Sequence, residues 1–342
     1  MSDCVHVGII GLGHNGVAHL KCHLESDLSR VVAVCDRNPE LVKAVCAEFG
    51  IARGYTDERF FDDAEMEAIS INTGDQYHAE PFELAVRSGR HVLIEKPLAN
   101  SEEDVLRMVE AFRDCGSSLK IQVGYILRFN PVFEAVHELA ASGQLGDVYY
   151  LEGDYIHNLL SQAEKPDPVT GVNWYLEHEM PIVGGGSHPL DLLRWFSGKE
   201  VVEVSGFSNG RAFPQMRYDD CQVALFRFED GTVAKVAALY APRLGMAPFY
   251  NLRVYGTRGT VERDTVALSS SEEDVHPELQ PVEADRVGGH PYTNEIDDWL
   301  RGILEDKPVR VPFLDGANST MATLCAVRAM QEGKSVAVPV FR

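Results

Sequence analysis

The chain lacks any apolar run long enough to span a bilayer, and it has little positive charge. Lys and Arg total 31 against 52 Asp and Glu in 342 residues, which gives a formal net charge of −21. A surface of that sign repels nucleic acid and anionic membranes, so we expect neither as a partner. It leaves the substrate open, because a local site can differ in sign from the whole surface.

Cysteine is also scarce and carries no metal or disulfide pattern. The 7 cysteines form no Cys-x-x-Cys pair and their number is odd, which predicts scattered reduced thiols. No clustered His, Asp and Cys spacing calls for a metal. The N-terminus carries Asp3 and runs straight into a strand-like segment, without the basic region or cleavage site of a signal peptide. We therefore expect a cytoplasmic protein without a metal.

Apolar runs alternate with helix-like stretches over residues 1–124. The helix-like stretches end near Gly50 and Gly89, where a left-handed cap suits glycine. Strands that are buried on both faces and alternate with helices are typical of a doubly wound parallel sheet. The strands are predicted near residues 6–10, 31–35, 68–73, 91–95 and 119–125.

The pattern changes after about Tyr125. Longer runs with partial alternation follow, with hairpin turns at "EDGT" and "GTRGT". They predict a second domain, over residues 125–342, of α+β class with a mostly antiparallel open sheet. Helices are predicted at 294–308 and 317–333. The last helix can pack back on the first domain. Residues 161–172, polar and rich in proline, predict a long loop.

A glycine motif follows the first predicted strand and opens a helix. Its sequence, "GLGHNG", fits G-x-G-x-x-G. Such glycines permit a tight turn, close approach of the backbone to a pyrophosphate and close packing of helix on strand, while the helix N-terminus faces the phosphates. The motif predicts a Rossmann dinucleotide site; the alternative is a purely structural turn. The predicted cofactor-binding residues here are Gly11, Gly13, His14, Asn15 and Gly16.

The predicted cofactor is NAD, on the evidence of the second strand. That strand ends at Asp36, 20 residues after Gly16, where a carboxylate can accept hydrogen bonds from the ribose hydroxyls. Its charge would repel a 2′-phosphate. Arg37 follows directly and can hold that phosphate if Asp36 turns aside, so NADP stays possible; the alternative for Arg37 is a solvated surface charge.

The segment "VLIEKPLAN" ends a buried strand in Glu95, Lys96 and Pro97. Ligands of doubly wound sheets bind outside the carboxyl ends of the strands. Pro97 cannot continue the ladder and keeps Lys96 extended, with either peptide isomer open. We therefore predict that Lys96 is held at the edge of the cofactor. The structural alternative is a lysine paired with a neighbouring carboxylate.

The ensemble of motifs resembles the glucose-fructose oxidoreductase/inositol dehydrogenase (Gfo/Idh/MocA) family. The resemblance runs from about residue 5 to the C-terminus and includes "NTGDQYHAE", "GRHVLIEKP", "VGYILRFNP", "GGGSHPLDLLRWF" and "YGTRGTVE". The family comprises mostly NAD(P)-dependent dehydrogenases of sugars, inositols and related alcohols. The resemblance implies that Lys96 is catalytic, that Thr73, His78 and Glu95 help to hold the cofactor, and that the protein is a homodimer or homotetramer.

Oxidation of an alcohol removes a hydride from carbon and a proton from oxygen. A partly desolvated lysine beside oxidised nicotinamide should have a lowered pKa and can act as a base or as a fixed cation. His188 and Asp191 share a helix face, and the resemblance implies that His188 is a general acid/base or proton relay that Asp191 orients, unless Asp191 binds substrate. The alternatives are a capping role for Ser187 or His188, and an ion pair of Asp191 with Arg194.

Residue 184 departs from the family pattern. Many relatives carry an aspartate four residues before this histidine, where this chain has Gly184. The Asp–His pair is therefore expected to be incomplete. A cofactor- or sugar-binding sensor, and a lyase or glycosidase that oxidises and restores NAD within one turnover, stand as alternatives to the dehydrogenase. Further candidate substrate contacts are Tyr125, Arg128, Trp174 and Tyr292.

Overall fold

The structure is a computed structural model that describes residues 4–115, 118–160, 173–243, 249–285 and 290–342. It divides into two compact units. The first comprises the chain up to Phe129 and a later segment that ends at Ala317; the second comprises the chain from Asn130 and the C-terminal segment from Asn318. The loop predicted at 161–172 lies outside the described residues. No described helix is long and apolar enough to cross a membrane.

The elements are numbered in chain order over the described residues. The helices are α1 His14–Glu25, α2 Pro39–Phe49, α3 Ala79–Arg87, α4 Glu102–Cys115, α5 Pro131–Ala141, α6 Trp174–Glu177, α7 Pro181–Gly184, α8 Ser187–Ser197, α9 Tyr292–Leu304 and α10 Phe313–Glu332. The strands are β1 Val5–Ile10, β2 Ser29–Cys35, β3 Gly54–Tyr55, β4 Ala68–Ile71, β5 His91–Ile94, β6 Ile121–Val123, β7 Val148–Ile156, β8 Val201–Asn209, β9 Cys221–Phe228, β10 Val233–Leu239, β11 Phe249–Gly256, β12 Gly259–Glu262, β13 Thr265–Leu268, β14 Gln280–Pro281 and β15 Val336–Ala337.

The first unit is built on a parallel sheet of six described strands in the order β3-β2-β1-β4-β5-β6. Its central strands are buried on both faces, and every residue of β4 is buried. That burial explains the continuous apolar runs in the sequence. The strand order reverses between β1 and β4, which is where ligands bind in doubly wound sheets. The predicted fold class is confirmed here.

The ends of the helices in the first unit follow local sequence signals. The Asn38 side chain accepts hydrogen bonds from the backbone N–H groups of Glu40 and Leu41 and so caps α2, with Pro39 in the first turn. Gly50 ends this helix at a φ of 69°, as predicted. Helix α9 also belongs to the first unit, although the sequence places it with the second domain. The predicted boundary at residue 124 stays a prediction beside the observed division at Phe129.

The second unit is built on a sheet of nine described strands in the order β14-β13-β12-β11-β7-β10-β9-β8-β15. Only the β7–β10 pair is parallel among these neighbours, so the mostly antiparallel sheet is confirmed. Helix α8 packs closely on β7, because a Cβ on Gly153 would come within 2.8 Å of the Pro189 Cβ. This close approach fixes the first turn of α8, which carries His188.

The predicted capping role of Ser187 or His188 is wrong. Helix α8 begins at Ser187, its N-cap is Gly186, and no side chain caps it. The hydroxyl of Ser187 donates to the Gly184 carbonyl at 3.1 Å instead. The short α7 ends only two residues before α8. The Ser187 hydroxyl therefore meets the carbonyl of Gly184 at the end of α7, and it does not reach a free N–H group of α8.

Candidate active site

The glycine turn between β1 and α1 shows three different reasons for its glycines. Gly11 has a φ of +86°, and a Cβ there would lie 2.6 Å from the Asn72 and Thr73 backbone. A Cβ on Gly16 would lie 1.7 Å from the Gly11 carbonyl oxygen. A Cβ on Gly13 would meet no described atom within 4 Å. Gly13 therefore leaves open the space that a pyrophosphate would fill at the N-terminus of α1.

The carboxylate of Asp36 lies at the end of β2 beside this turn. One oxygen accepts from the Leu12 N–H at 2.8 Å and the other from the Asn38 N–H at 2.9 Å. These two bonds fix the carboxylate at the turn and leave further lone pairs for ribose hydroxyls. The open space at Gly13 and the acceptor oxygens of Asp36 fit NAD. Arg37 is exposed, lies over the Tyr77 ring at 4.8 Å and pairs with Glu80 at 3.7 Å, which favours the surface-charge interpretation.

His78 joins two segments of the site through its ring. Its Nε2 lies 2.9 Å from the Thr73 carbonyl oxygen and its Nδ1 lies 3.0 Å from the Pro97 carbonyl oxygen. The ring is buried. It therefore ties the loop after β4 to Pro97, whose peptide bond with Lys96 is cis. The cofactor role predicted for Thr73 and His78 stays a prediction, and the geometry adds a structural role for His78.

Lys96 lies two residues after the end of β5 and is half-buried. The preceding Glu95 continues the ladder, because its N–H donates to the Ile71 carbonyl at 3.0 Å. The Glu95 carboxylate turns inward: one oxygen lies 3.0 Å from His19 Nε2, and the other accepts from the Lys96 N–H at 3.2 Å. Burial opposes its ionisation, but His19 and Lys96 outweigh burial and lower the pKa of Glu95. The backbone of Lys96 thus contacts the buried Glu95 carboxylate, whose lowered pKa favours the ionised form.

Tyr292, which begins α9, and His290 just before it lie close to His19 and Lys96 in the first unit. The Tyr292 ring packs edge-on against His19 at 5.1 Å between centroids, and His290 packs against Tyr292 at 5.8 Å. Burial, and then the positive charge of Lys96, lower the pKa of His290, with Glu95 opposing. A neutral imidazole near Lys96 can accept a proton. The sequence offered Tyr292 as a substrate contact, and that role stays a prediction.

Glu295, one turn into α9, is a buried carboxyl with no hydrogen-bond partner for either oxygen among the described residues. Burial, and then the negative charges of Glu95 and Asp298, raise the pKa of Glu295 well above its ordinary value. The pKa values of the two neighbouring glutamates therefore move in opposite directions, which favours a charged Glu95 beside a protonated Glu295. No local pattern indicates this pair, because its members lie 200 residues apart in the sequence.

Stability should fall with rising pH on account of Glu295. The folded state holds a proton that the unfolded chain releases above about pH 4.5, the ordinary pKa of a glutamate. The free energy of unfolding should therefore fall by up to about 1.4 kcal/mol per pH unit above that point, until the folded pKa is reached. Glu295→Gln cannot release the proton, so the slope should become shallower and the protein more stable at neutral pH.

Urea unfolding at a series of pH values from 5 to 9 measures this slope. The control is Glu25→Gln, which changes an exposed carboxyl on α1 and should keep the slope of the wild type. A Glu295→Gln protein with the unchanged slope would show that Glu295 is ionised in the folded state.

Tyr125 and Arg128, predicted as substrate contacts, lie inside the first unit. Tyr125 is 1% exposed and Arg128 is 2% exposed. The Arg128 Nη1 donates to the Asp315 carboxylate at 2.6 Å, and the Arg128 carbonyl accepts from Arg310 at 2.9 Å. This geometry favours a structural role for Arg128, because its charge is neutralised within its own unit.

In the second unit, His188 is buried beside an aromatic group. The His188 and Tyr155 rings stack at 6.2 Å between centroids, and Tyr155 contacts Tyr240 at 5.9 Å. The Tyr155 hydroxyl lies 3.0 Å from His157 Nδ1. Tyr240 donates a short hydrogen bond to Glu179. Burial, and then the charge of Glu179, raise the pKa of Tyr240 well above its ordinary value, so its hydroxyl keeps its proton.

Asp191 lies in a buried polar network of α8 and α10. It accepts from the Ser319 hydroxyl at 2.7 Å and lies 4.0 Å from Arg194. Arg194 also donates to Ser319 at 2.6 Å and binds Glu200 through two oxygens. The pair with Arg194 that the spacing allowed is therefore present. The predicted roles of Asp191 as orienter or substrate ligand stay predictions.

Trp174 begins the short α6 and is half-buried. Its ring meets Tyr175 edge-on at 5.4 Å, and Tyr175 packs against the apolar cluster that contains Tyr240. The role of Trp174 as a substrate contact stays a prediction. Within the described part of the chain, no group of three or more His, Cys, Asp or Glu side chains could hold a metal ion.

Models of two domains from one family match the chain. The model described as oxidoreductase family, NAD-binding Rossmann fold matches residues 5–125, and the model of the GFO/IDH/MocA C-terminal domain matches residues 133–262. The protein is thus an NAD-binding oxidoreductase with two domains. It belongs to the Gfo/Idh/MocA family. The predicted family, enzyme class and NAD cofactor are confirmed.

Three relatives illustrate the range of the family. Inositol 2-dehydrogenase 2 of Saccharopolyspora erythraea is 28% identical over 98% of this chain and 96% of its own. Levoglucosan dehydrogenase of Pseudarthrobacter phenanthrenivorans is 25% identical over 98% of each chain. The crystal structure of an Agrobacterium radiobacter oxidoreductase in complex with NAD+, L-tartaric acid and magnesium aligns over 98% of each chain, with a TM-score of 0.82 and 21% identity. This last likeness shows the fold alone.

Proposed function

We propose that the protein is a dehydrogenase that transfers a hydride between NAD and a secondary alcohol or ketone of a sugar, polyol or sugar derivative. The observation that carries this proposal is the position of Lys96, two residues after the end of β5. In the same sheet, β1 leads into the glycine turn and β2 leads into Asp36. Relatives named for inositol and levoglucosan support a sugar or polyol as the substrate.

When bound, NAD supplies the hydride acceptor at its nicotinamide. The open backbone at Gly13 and the N-terminus of α1 would bind the pyrophosphate, and Asp36 would accept from the ribose hydroxyls. Lys96 donates to the reacting oxygen and stabilises the negative charge that develops there. His188 takes the proton, with Asp191 as its orienter. In the direction of reduction His188 returns the proton to the oxygen, while Lys96 again donates to it.

The cofactor preference tests the role of Asp36. Asp36→Asn keeps a side-chain acceptor at the turn but removes the charge, so it should weaken NAD binding by about 10- to 100-fold, the loss of one charge-assisted hydrogen bond. The same change removes repulsion of a 2′-phosphate, so the ratio of kcat/KM for NADP over NAD should rise. Steady-state kinetics with both cofactors measures the ratio. An unchanged ratio would contradict the predicted contact with the ribose.

The function itself is tested by nicotinamide reduction with the purified protein. NAD or NADP is offered with a panel of sugars, sugar acids and inositols, and absorbance of the reduced nicotinamide is followed. One or a few active compounds would support the dehydrogenase and define the substrate class. Intact cofactor binding with no active compound would favour the sensor, and retained cofactor with product formed but no net reduction would favour the internal redox cycle.

A further inference from the structure

The space beside Gly184, where a side chain would begin, is filled by the side chain of Glu179. An ideal Cβ on Gly184 would lie 1.9 Å from the Glu179 Oε1, 2.5 Å from its Cδ and 2.6 Å from its Oε2. No side chain atom can approach a carboxylate so closely. The carboxylate of Glu179 therefore lies where the first atom of a side chain at residue 184 would be.

The neighbouring glycine is needed by the same group of side chains. A Cβ on Gly185 would lie 2.3 Å from the Tyr155 ring and 2.7 Å from the Tyr240 hydroxyl oxygen. Tyr240 in turn donates to Glu179. Two consecutive glycines thus make room for one buried unit of Glu179, Tyr240 and Tyr155. These contacts explain part of the triple glycine that the sequence shows.

Glu179 is an unusual residue to bury without a functional reason. It is 4% exposed, and burial of a carboxyl costs free energy that hydrogen bonds offset only in part. Its Tyr240 partner contacts Tyr155, whose ring stacks on His188. The backbone also links the two ends, because the His188 N–H donates to the Gly185 carbonyl at 3.2 Å. The Glu179 carboxylate is thereby linked to the imidazole through Tyr240 and Tyr155.

We propose that Glu179 supplies, from a different backbone position, the carboxylate that Gly184 cannot carry. It is a positioning residue: it holds Tyr240 and Tyr155 against His188, and its charge stabilises the protonated imidazole. This inference rests on the proposed function, in which His188 takes the proton. It converts the apparent gap at Gly184 into an exchange of one carboxylate position for another.

Stability measurements test the geometry without any substrate. Gly184→Ala should destabilise the wild type, because the new Cβ collides with the Glu179 carboxylate. In a Glu179→Ala background the same change should cost far less, because the space is empty. Chemical unfolding of the wild type, both single variants and the double variant measures the coupling. Equal cost of Gly184→Ala in both backgrounds would overturn the inference whatever the enzyme's substrate.

Kinetics with an active compound test the positioning role. Glu179→Gln keeps the shape but removes the charge, so kcat/KM should fall by about 10²-fold. The acid limb of its pH profile should move down by about 0.5–1 pH unit, because the protonated imidazole loses a nearby negative charge. Glu177→Gln changes an exposed carboxyl on α6 and is the matched control. A Glu179→Gln profile identical to the control would overturn the role.

The most decisive test moves the carboxylate from residue 179 to residue 184. Gly184→Asp alone should be nearly inactive, because two carboxylates then compete for one space. Glu179→Ala combined with Gly184→Asp should recover at least about 10-fold of kcat/KM over either single variant. No recovery in a folded double variant would overturn the exchange of positions. If the wild type oxidises no compound, the proposed function fails, while the stability coupling still decides the geometry.

Discussion

Replacing Lys96 with methionine should lower kcat/KM by about 10²- to 10⁴-fold, the usual contribution of a positioned acid, base or charge. Methionine keeps most of the length of the side chain and removes only the ammonium group. Cofactor affinity should change much less, since the glycine turn and Asp36 are untouched. Steady-state kinetics, together with titration of NAD by quenching of protein fluorescence, separates the two effects.

Two further variants sharpen this experiment. Lys43→Met removes an exposed lysine on α2 and should leave the rate unchanged. Lys96→Arg keeps a positive charge but cannot lose its proton, so partial activity would assign Lys96 as a fixed cation, and none would assign it as a base. A Lys96→Met enzyme as fast as the Lys43→Met control would contradict the catalytic role altogether.

Arg128→Met should lower the free energy of unfolding by about 1–3 kcal/mol, because it removes a charge-assisted hydrogen bond to Asp315, whose side chain is 31% exposed and stays partly solvated. The contact is short, at 2.6 Å, and the guanidinium is 2% exposed. Urea unfolding measures the loss. A second change, Asp315→Leu, should recover part of it, since an apolar pair can replace a buried ion pair.

The control is Arg87→Met, which breaks an exposed ion pair with Glu83 and should change the stability far less. The kinetic result distinguishes the two interpretations of Arg128. A stable Arg128→Met protein with a raised KM for the alcohol would restore the substrate contact that the sequence suggested. A destabilised protein with an unchanged KM would establish the structural role.

The sequence was most informative where local patterns decide the structure. The apolar runs located β1, β2, β4, β5 and β6, since strands buried on both faces leave little choice of residue. The glycine spacing located the turn before α1, because backbone geometry restricts Gly11 and Gly16 to glycine. Very short strands such as β3 escaped, since Gly54 and Tyr55 carry no periodicity of their own.

The side-chain chemistry was less predictable, because contacts between distant segments decide it. Glu95 was expected near the cofactor, yet its carboxylate turns to His19, 76 residues away along the chain. His19 and His23 are four residues apart and share the buried face of α1. That spacing is the one feature of the sequence that indicates a buried histidine here. Nothing in the sequence placed Glu179 over Gly184, because a glycine shows that space is needed without showing what fills it.

The contact between Glu179 and Gly184 also constrains how this sequence can change over time. A single step from Gly184 to any residue with a Cβ meets a carboxylate at 1.9 Å, so selection should reject it while Glu179 is present. Loss of Glu179 must come first, and that step by itself removes a buried carboxylate. The two positions are therefore expected to change in a fixed order or together, so that homologues should carry an acidic side chain at one of them and a small residue at the other.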